Sequence, residues 1–251
     1  MRLYYSRLQI ELTRRCNQKC AHCCRGESQN VDITEEIIND FFEKNDISNI
    51  GTLLFSGGEP TLNGKMLEYI VDKIIEKGII VDMFILGING LFYSEELVRG
   101  LNKLQDYIIL KSNRPRTCVG LLMVSQDQFH KEADKEVIKK LKNLSYFSPI
   151  DKDDIKQENI LPYGRAYENG LSIQQPDLSK LTNYQDNYRI QEYEGTNYLV
   201  VGYQYLSANG NIVNDGCQSY NLMDKYSLGN IQNQTVVEIY TGMQSKKLIK
   251  I

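Results

Sequence analysis

The sequence has no long apolar run and no strong charge of either sign. No stretch approaches the roughly eighteen apolar residues that a membrane-spanning helix needs. The formal net charge is −3, so composition gives no basic face of the kind that binds nucleic acid. Residues 1–7 lack the apolar core and cleavage site of a signal peptide. We therefore expect a cytoplasmic protein with neither a nucleic-acid nor a membrane partner.

Internal repeats, low-complexity tracts and flexible linkers are also missing from the 251 residues. A chain of this length can bury a sizeable core without disulfide bonds. Its hydrophobic fraction of 41% and charged fraction of 24% are ordinary for a globular protein. We expect a core domain over residues 1–170 and a smaller region over 171–251, separated by a change of composition and not by a visible hinge.

Strand-like and helix-like segments alternate through the first two thirds of the chain. Predicted strands lie at 8–12, 51–55, 79–86, 119–124 and, more weakly, 159–161. Predicted helices lie at 33–45, 62–77, 94–104 and 131–144. Residues 107–110 also resemble a strand and compete with 119–124 for the fourth position. This order of segments predicts βα units around a parallel sheet or barrel.

The last third of the chain has a different pattern. Residues 198–207 are rich in tyrosine and valine, and Asn209-Gly210 separates them from the short apolar segment 211–213. An Asn-Gly pair between two such runs is a strong signal for a β-hairpin. A final helix is predicted over 236–248.

Four of the six cysteines lie between positions 16 and 24. Such clustering points to metal or redox chemistry, because a disulfide scaffold would spread its cysteines along the chain. Cys16, Cys20 and Cys23 directly follow the first predicted strand, where parallel α/β folds place active sites. Three thiolates in one loop could hold an iron–sulfur cube and leave one iron open to an outside ligand. Nearby basic residues would favour the thiolate form: Arg14, Arg15, Lys19 and Arg25.

Two other interpretations of the cysteine loop remain open on the residues alone. Positions 16, 20 and 23 also share one face of a helix, so the cysteines could be buried structural residues. A zinc site is the stronger rival, with the three cysteines joined by either Cys24 or His22. Spacing alone does not decide the metal.

A second motif, Gly57-Gly58-Glu59-Pro60, follows the second predicted strand. Alone it could be a simple turn. Together with Cys-x3-Cys-x2-Cys after the first strand, it resembles the radical S-adenosylmethionine (radical SAM) superfamily. The resemblance implies a [4Fe-4S] cluster held by Cys16, Cys20 and Cys23, with S-adenosylmethionine (AdoMet) as the second cofactor. It also implies an α/β fold, a partial (β/α) TIM-like barrel of about five to six parallel strands with a small C-terminal β-hairpin plus helix.

The resemblance assigns further residues to the cofactor. The backbone of Gly57, Gly58 and Glu59 would bind the AdoMet amine, and the backbone beside His22 would lie near the adenine. Three polar residues after later strands are further candidates for AdoMet contacts: Asn89, Ser125 and Arg165.

Two neighbouring polar residues received structural interpretations. Asp127, in the segment Val-Ser-Gln-Asp, is equally well explained as a helix cap. His130 is interpreted as a residue at the start of the following helix and not as a catalyst.

The C-terminal third resembles the ends of SPASM and twitch proteins, which are radical SAM enzymes with additional clusters. Cys217 is the only cysteine in this region, and one thiolate cannot hold a cube. We therefore expect no auxiliary cluster. Cys24 and Cys118 receive no role.

The sequence as a whole predicts an enzyme that cleaves AdoMet reductively to a 5′-deoxyadenosyl radical, which then abstracts hydrogen from a peptide or protein substrate. An electron donor such as flavodoxin or ferredoxin would be needed. The peptide substrate rests on analogy with SPASM proteins. The alternatives are a glycyl-radical enzyme activase, a small-molecule radical SAM enzyme, and a non-catalytic zinc-binding interaction module.

Overall fold

The computed structural model describes residues 1–111, 119–148, 154–179 and 187–248. The strands are β1 (Arg2–Glu11), β2 (Ile47–Ser56), β3 (Ile80–Ile88), β4 (Gly120–Val124), β5 (Tyr188–Tyr193), β6 (Thr196–Leu206), β7 (Asn211–Val213) and β8 (Gly229–Asn230). The α-helices are α1 (Glu35–Glu43), α2 (Gly64–Glu76), α3 (Glu95–Lys111), α4 (Lys135–Leu141), α5 (Gly164–Glu168), α6 (Tyr220–Lys225) and α7 (Val236–Leu248). Short 3-10 turns occupy Pro60–Asn63 and Gln157–Asn159.

The strands form one open sheet in the order β4-β3-β2-β1-β6-β7-β8, and β5 also pairs with β6. Neighbours from β4 to β6 run parallel, while β5, β7 and β8 pair antiparallel. Helices α1, α2 and α3 connect consecutive parallel strands, as βα units require. The fold is therefore α/β with a mostly parallel, unclosed sheet, which matches the predicted partial barrel.

Apolar side chains of the central strands and of the helices share one buried core. In β1, Leu8 and Ile10 are fully buried, and in β2, Leu53 and Phe55 are buried in the same core. Facing them, α1 buries Phe41 and its neighbours on one side of the helix. A helix that is apolar on one face is stabilised mainly by this packing.

Two uncertain segments now have a structure. Residues 107–110 lie inside α3, and 119–124 become β4, so the favoured alternative is confirmed. The weak strand predicted at 159–161 is wrong, because Gln157–Asn159 forms a 3-10 turn and residues 160 and 161 belong to no strand. The fifth parallel strand is instead β6, which lies on the other side of β1.

Other boundaries shift for local reasons. Helix α4 is shorter than the predicted 131–144, because Asp134 caps it and accepts hydrogen bonds from the backbone of Glu136 and Val137. The predicted hairpin is present as β6 and β7, with Gly210 at a positive φ of 82° in the turn.

The predicted boundary at residue 170 stays a prediction. Strand β6, which lies beyond it, pairs with β1 from Arg2 opposite Tyr198 to Ile10 opposite Leu206. Within the described residues, no helix is both long and apolar enough to cross a bilayer.

Candidate active site

The carboxyl ends of the parallel strands surround a cavity of about 420 Å³. Every residue that the sequence assigned to the site lines this cavity: Cys16, Cys20, His22, Cys23, Gly57, Gly58, Glu59, Asn89, Ser125 and Arg165. Loops after the strands meet here because parallel strands all end on the same side of a sheet. The residues are thus brought together, while their individual roles remain predictions.

The cysteine sulfurs do not form a compact four-ligand group in the described residues. Four ligands at the Zn–S distance of about 2.3 Å would place sulfurs roughly 3.8 Å apart. In the part of the chain that the structure describes, no three of these cysteines bring their Sγ atoms within 4.8 Å of one another. His22 does not complete such a group with the cysteines either. The described residues thus show no preformed zinc site in the loop, and the choice of metal rests on the two motifs.

Two thiols of the loop, those of Cys16 and Cys20, have pKa values raised by burial in this geometry. Burial raises the pKa of Cys20 to about 11, and the neighbouring Cys16 and Cys23 contribute in the same direction. Burial also raises the pKa of Cys16. Arg165 is the cation that opposes these shifts. Metal binding at these sulfurs must therefore displace protons.

The basic residues expected to favour thiolates are engaged elsewhere, which corrects that expectation. Arg14 pairs with Glu11 and Asp224, and Arg15 pairs with Asp32. Lys19 is exposed. Arg25 lies over the ring of Tyr205 and lowers the pKa of Cys24, against a larger effect of burial.

The two glycines of the Gly-Gly-Glu-Pro segment allow it to pack on the cysteine loop. A Cβ at Gly57 would lie 2.6 Å from the carbonyl oxygen of Thr13, and one at Gly58 would lie 2.3 Å from that of Arg15. Backbone N–H groups of Gly58 and Glu59 donate to the same two carbonyls, at 2.7 and 2.8 Å. The glycines are therefore required for contact between protein backbones, whatever else they contact.

Glu59 and Asn89 connect three loops around the cavity. The Glu59 carboxylate is buried and accepts hydrogen bonds from Thr61 and from the backbone N–H of Asn89, the latter at 2.9 Å. Burial raises the pKa of Glu59, and these hydrogen bonds oppose the shift. The Asn89 side chain donates to Asn17 of the cysteine loop at 2.6 Å.

Arg165 approaches the cysteine loop from α5. Its Nε donates to the carbonyl oxygen of Cys20 at 3.0 Å, and Nη1 lies 3.3 Å from Glu27. Asn169, one turn later, donates to the carbonyl of Ala21. Helix α5 and its C-cap residue thus hold the backbone of the cysteine loop through these two hydrogen bonds.

Both histidines of the chain meet at the wall of the cavity. His130 Nδ1 lies 2.8 Å from Oδ2 of Asp127, and His22 Nε2 lies 3.8 Å from the same oxygen. His22 stacks on Phe129, and burial lowers its pKa. Asp127 does not cap α4, and His130 lies before that helix and lines the cavity. The structure thus corrects the helix-cap interpretation of Asp127 and the position of His130 at the helix start, while the prediction that His130 is not a catalyst stays a prediction.

A family profile described as the Radical SAM superfamily matches residues 10–113, which include the cysteine loop and the Gly-Gly-Glu-Pro segment. Over this segment the chain is similar to the radical SAM superfamily. No curated protein sequence matches it.

Solved structures of radical SAM enzymes share its fold. BtrN in complex with AdoMet and 2-DOIA matches with a TM-score of 0.53 and 17% identity, over 94% of this chain and 82% of that one. Streptococcus suis SuiB bound to precursor peptide SuiA matches with a TM-score of 0.53 and 12% identity, over 94% of this chain and 64% of that one. Native anSMEcpe with bound AdoMet and Cp18Cys peptide matches with a TM-score of 0.51 and 16% identity, over 94% of this chain and 80% of that one. At these identities the likeness shows the fold alone.

Sequence reasoning missed a buried ion pair behind the cysteine loop. Arg14 is 1% exposed, contacts fully buried Glu11, and donates two hydrogen bonds to Asp224 of α6 at 2.7 and 2.8 Å. Tyr205 of β6 donates to Glu11 at 2.8 Å. No sequence pattern links residues so far apart. The only available signal was the high density of arginines around the cysteines.

The remaining cysteines differ in environment. Cys24 lines the cavity, and burial raises its pKa to about 11. Cys217 is exposed. Cys118 lies outside the described residues.

Proposed function

We propose that this chain is a radical SAM enzyme that binds a [4Fe-4S] cluster through Cys16, Cys20 and Cys23 and cleaves AdoMet to abstract hydrogen from a peptide or protein. The observation that carries the proposal is the single cavity that collects the three cysteines, the Gly-Gly-Glu-Pro segment and the polar residues of later strands. When bound, the cluster supplies the electron that splits AdoMet into methionine and a 5′-deoxyadenosyl radical.

The residues around the cavity fit both cofactors. Three thiols line one cavity and can become cluster ligands on losing their protons. Gln18 lies against them, and its Nε2 is buried without a hydrogen-bond partner in the described part of the chain. Such an orphaned donor next to the thiols favours a site that is completed by an acceptor.

The protein's contribution at the AdoMet amine comes from backbone carbonyls. The N–H groups of Gly58 and Glu59 already donate to Thr13 and Arg15, so they fix the segment against the cysteine loop. An ammonium group needs acceptors, and the carbonyl oxygens of residues 57–59 are the groups of this segment suited to accept from it. Arg165 and Asn89 hold the loop around this point through their bonds to Cys20 and Asn17.

A second cavity supports a peptide substrate. It has a volume of about 440 Å³, shares Arg25 with the first cavity, and is lined by Tyr163, Tyr167 and Tyr220 among others. Tyrosine side chains offer large apolar contacts with a polar end, which suits extended peptides. SuiB and anSMEcpe, which share the fold, were solved with bound peptides.

The cofactor chemistry is tested by anaerobic reconstitution with iron and sulfide, followed by AdoMet and dithionite. We expect a brown protein and 5′-deoxyadenosine detected by mass spectrometry. Cys20→Ala should abolish the product, whereas Cys217→Ala, at an exposed cysteine, should retain it. Binding of zinc without an iron chromophore, or equal product from Cys20→Ala, would refute the proposal.

The substrate class is tested separately. Peptides encoded by short reading frames beside the gene should raise 5′-deoxyadenosine formation and lose hydrogen, whereas small alcohols and amines should not. Stimulation only by small molecules would refute the peptide assignment and leave the cofactor chemistry standing.

A further inference from the structure

A compact group of two imidazoles and one carboxylate lies beside the cysteine loop. One ligand atom each from His22, Asp127 and His130 can be chosen so that all three lie within 4.8 Å of one another. The side chains are 16%, 8% and 14% exposed, so the group is largely withdrawn from solvent. The chain has only these two histidines, and both are here.

The hydrogen bonding of His22 is incomplete within the described residues. Its Nδ1 is buried and has no partner. Its Nε2 lies 3.8 Å from Asp127 Oδ2, which is too far for a hydrogen bond. Neither ring nitrogen of His22 therefore has a hydrogen bond within the described residues, and Nε2, the nitrogen nearer Asp127, is available as a metal ligand.

A metal ion accounts for this spacing. In a tetrahedral site with ligands at about 2.0–2.1 Å, neighbouring ligand atoms lie roughly 3.3 Å apart. The distances of 2.8 and 3.8 Å from Asp127 Oδ2 to the two imidazoles bracket that value. Two imidazoles with a carboxylate suit zinc and similar transition metals, while calcium and magnesium prefer oxygen ligands alone.

The group is also oriented by its surroundings. Asp127 Oδ1 accepts the backbone N–H of Phe129 at 2.9 Å, which fixes the carboxylate. The Phe129 ring stacks on His22 at 4.7 Å and restricts the imidazole. Contacts of this kind orient the ligands of established metal sites.

We propose that His22, Asp127 and His130 form a site for a divalent transition-metal ion such as zinc, distinct from the three cysteines. The remaining coordination position would be open to water or to an oxygen or nitrogen of a ligand in the cavity that His22 and His130 line. None of its ligands is a cysteine, so metal binding at this site can be measured separately from binding at Cys16, Cys20 and Cys23, although His22 lies in the same loop.

The test uses the full chain with Cys16, Cys20 and Cys23 replaced by serine, so that zinc cannot bind at the cysteines. We expect one zinc per chain by calorimetry and elemental analysis. Introducing His130→Ala or Asp127→Asn into this variant should weaken zinc binding at least about ten-fold. Even substitutions of residues that only hydrogen-bond to a metal ligand have effects of that size. Glu136→Gln, at an exposed carboxylate on α4, is the matched control and should bind normally.

A spectroscopic readout separates binding at this site from adventitious zinc. With two histidines in the chain, imidazole nitrogen spectra contain signals from two rings only, and both sets should shift on adding one equivalent of zinc. Cobalt in place of zinc should give the visible absorption of a tetrahedral ion. Zinc binding that is absent from the folded serine variant, or equal in His130→Ala, would overturn the proposal.

If the serine variant does not fold, the same comparison is made on iron-loaded protein whose cysteines are occupied. Wild type should then take up one zinc beyond its iron, and His130→Ala none. Equal uptake by the two proteins, or none by either, would contradict the site.

Discussion

The ion pair between Arg14 and Asp224 joins the cysteine loop to the C-terminal region, and its removal gives a defined prediction. Asp224→Asn keeps the shape of the side chain and removes its charge. Arg14 then keeps only Glu11 as a charged partner, at 3.1 Å. Burial works against the charge of Arg14, but the hydrogen bonds and charges of Asp224 and Glu11 raise its pKa above its ordinary value. It therefore stays charged in the variant.

The loss of stability expected for Asp224→Asn is estimated from the burial of the two side chains. Removing one partner of a fully buried pair costs about 3–5 kcal/mol, and an exposed pair contributes about 0–1 kcal/mol. The side chain of Asp224 is 38% exposed while that of Arg14 is 1% exposed, so the pair lies between these limits. With Glu11 retained, we expect the free energy of unfolding to fall by about 2–3 kcal/mol. For a domain of this size that is a fall in Tm of about 5–10 °C.

Urea unfolding of the cluster-free protein, followed by circular dichroism, measures this difference. The matched control is Asp46→Asn, because Asp46 pairs with Arg2 and their side chains are 61% and 43% exposed. It should change stability by less than about 1 kcal/mol. The reasoning is refuted if Asp224→Asn is no more destabilised than this control.

The effect should also depend on pH. Burial raises the pKa of Asp224, but hydrogen bonds from Arg14, Asn209 and Asn211 outweigh it and keep the pKa below its ordinary value. A carboxylate whose pKa is depressed by folding stabilises the protein above its unfolded pKa, and the contribution is lost as pH falls through the folded pKa. The difference in free energy of unfolding between wild type and Asp224→Asn should therefore be largest at neutral pH and should decrease below about pH 4.

Three further predictions test the site and its support. Gly58→Ala should prevent stable cluster binding, measured as iron per chain, because the new Cβ would lie 2.3 Å from the carbonyl oxygen of Arg15. The control Gly242→Ala should bind iron normally, because nothing lies within 4 Å of a Cβ at that position. Tyr205→Phe should lower the free energy of unfolding by about 1–2 kcal/mol, since it removes the 2.8 Å hydrogen bond to buried Glu11; a neutral result in urea unfolding would show that this bond contributes nothing. Arg165→Gln should weaken AdoMet binding several-fold by equilibrium dialysis with little change in Tm, because the bond to the Cys20 carbonyl and the positive charge at the cavity are lost together; unchanged affinity would place Arg165 outside the AdoMet site.

The sequence predicted the fold class and the membership of the cavity because both depend on local patterns. Periodicity located β1 to β4, and residues after parallel strands must meet at one end of the sheet. The cysteine loop and the Gly-Gly-Glu-Pro segment are short motifs whose spacing is visible in the chain. They could be interpreted without knowing which strands are neighbours.

The errors lie where structure depends on distant contacts. Residues 159–161 looked like the fifth strand, but the position beside β1 is filled by β6, whose pairing no local pattern specifies. The arginines near the cysteines were expected to act on thiols, yet Arg14 and Arg15 turn to Asp224 and Asp32. His130 was interpreted from its place before a helix, and its contact with His22 exists only in three dimensions.

The position of β1 in the middle of the sheet has a consequence for how the protein folds. One of its edges can pair with β2 once the cysteine loop and α1 have been synthesised, but the other edge pairs with β6, where Arg2 lies opposite Tyr198. Pairing over so long a loop is slow, and until it occurs the strand that precedes the cysteines presents unsatisfied backbone groups. A chain truncated before β6 should therefore associate with other copies through the unpaired edge of β1. Cluster insertion should be most efficient after the whole chain has been synthesised.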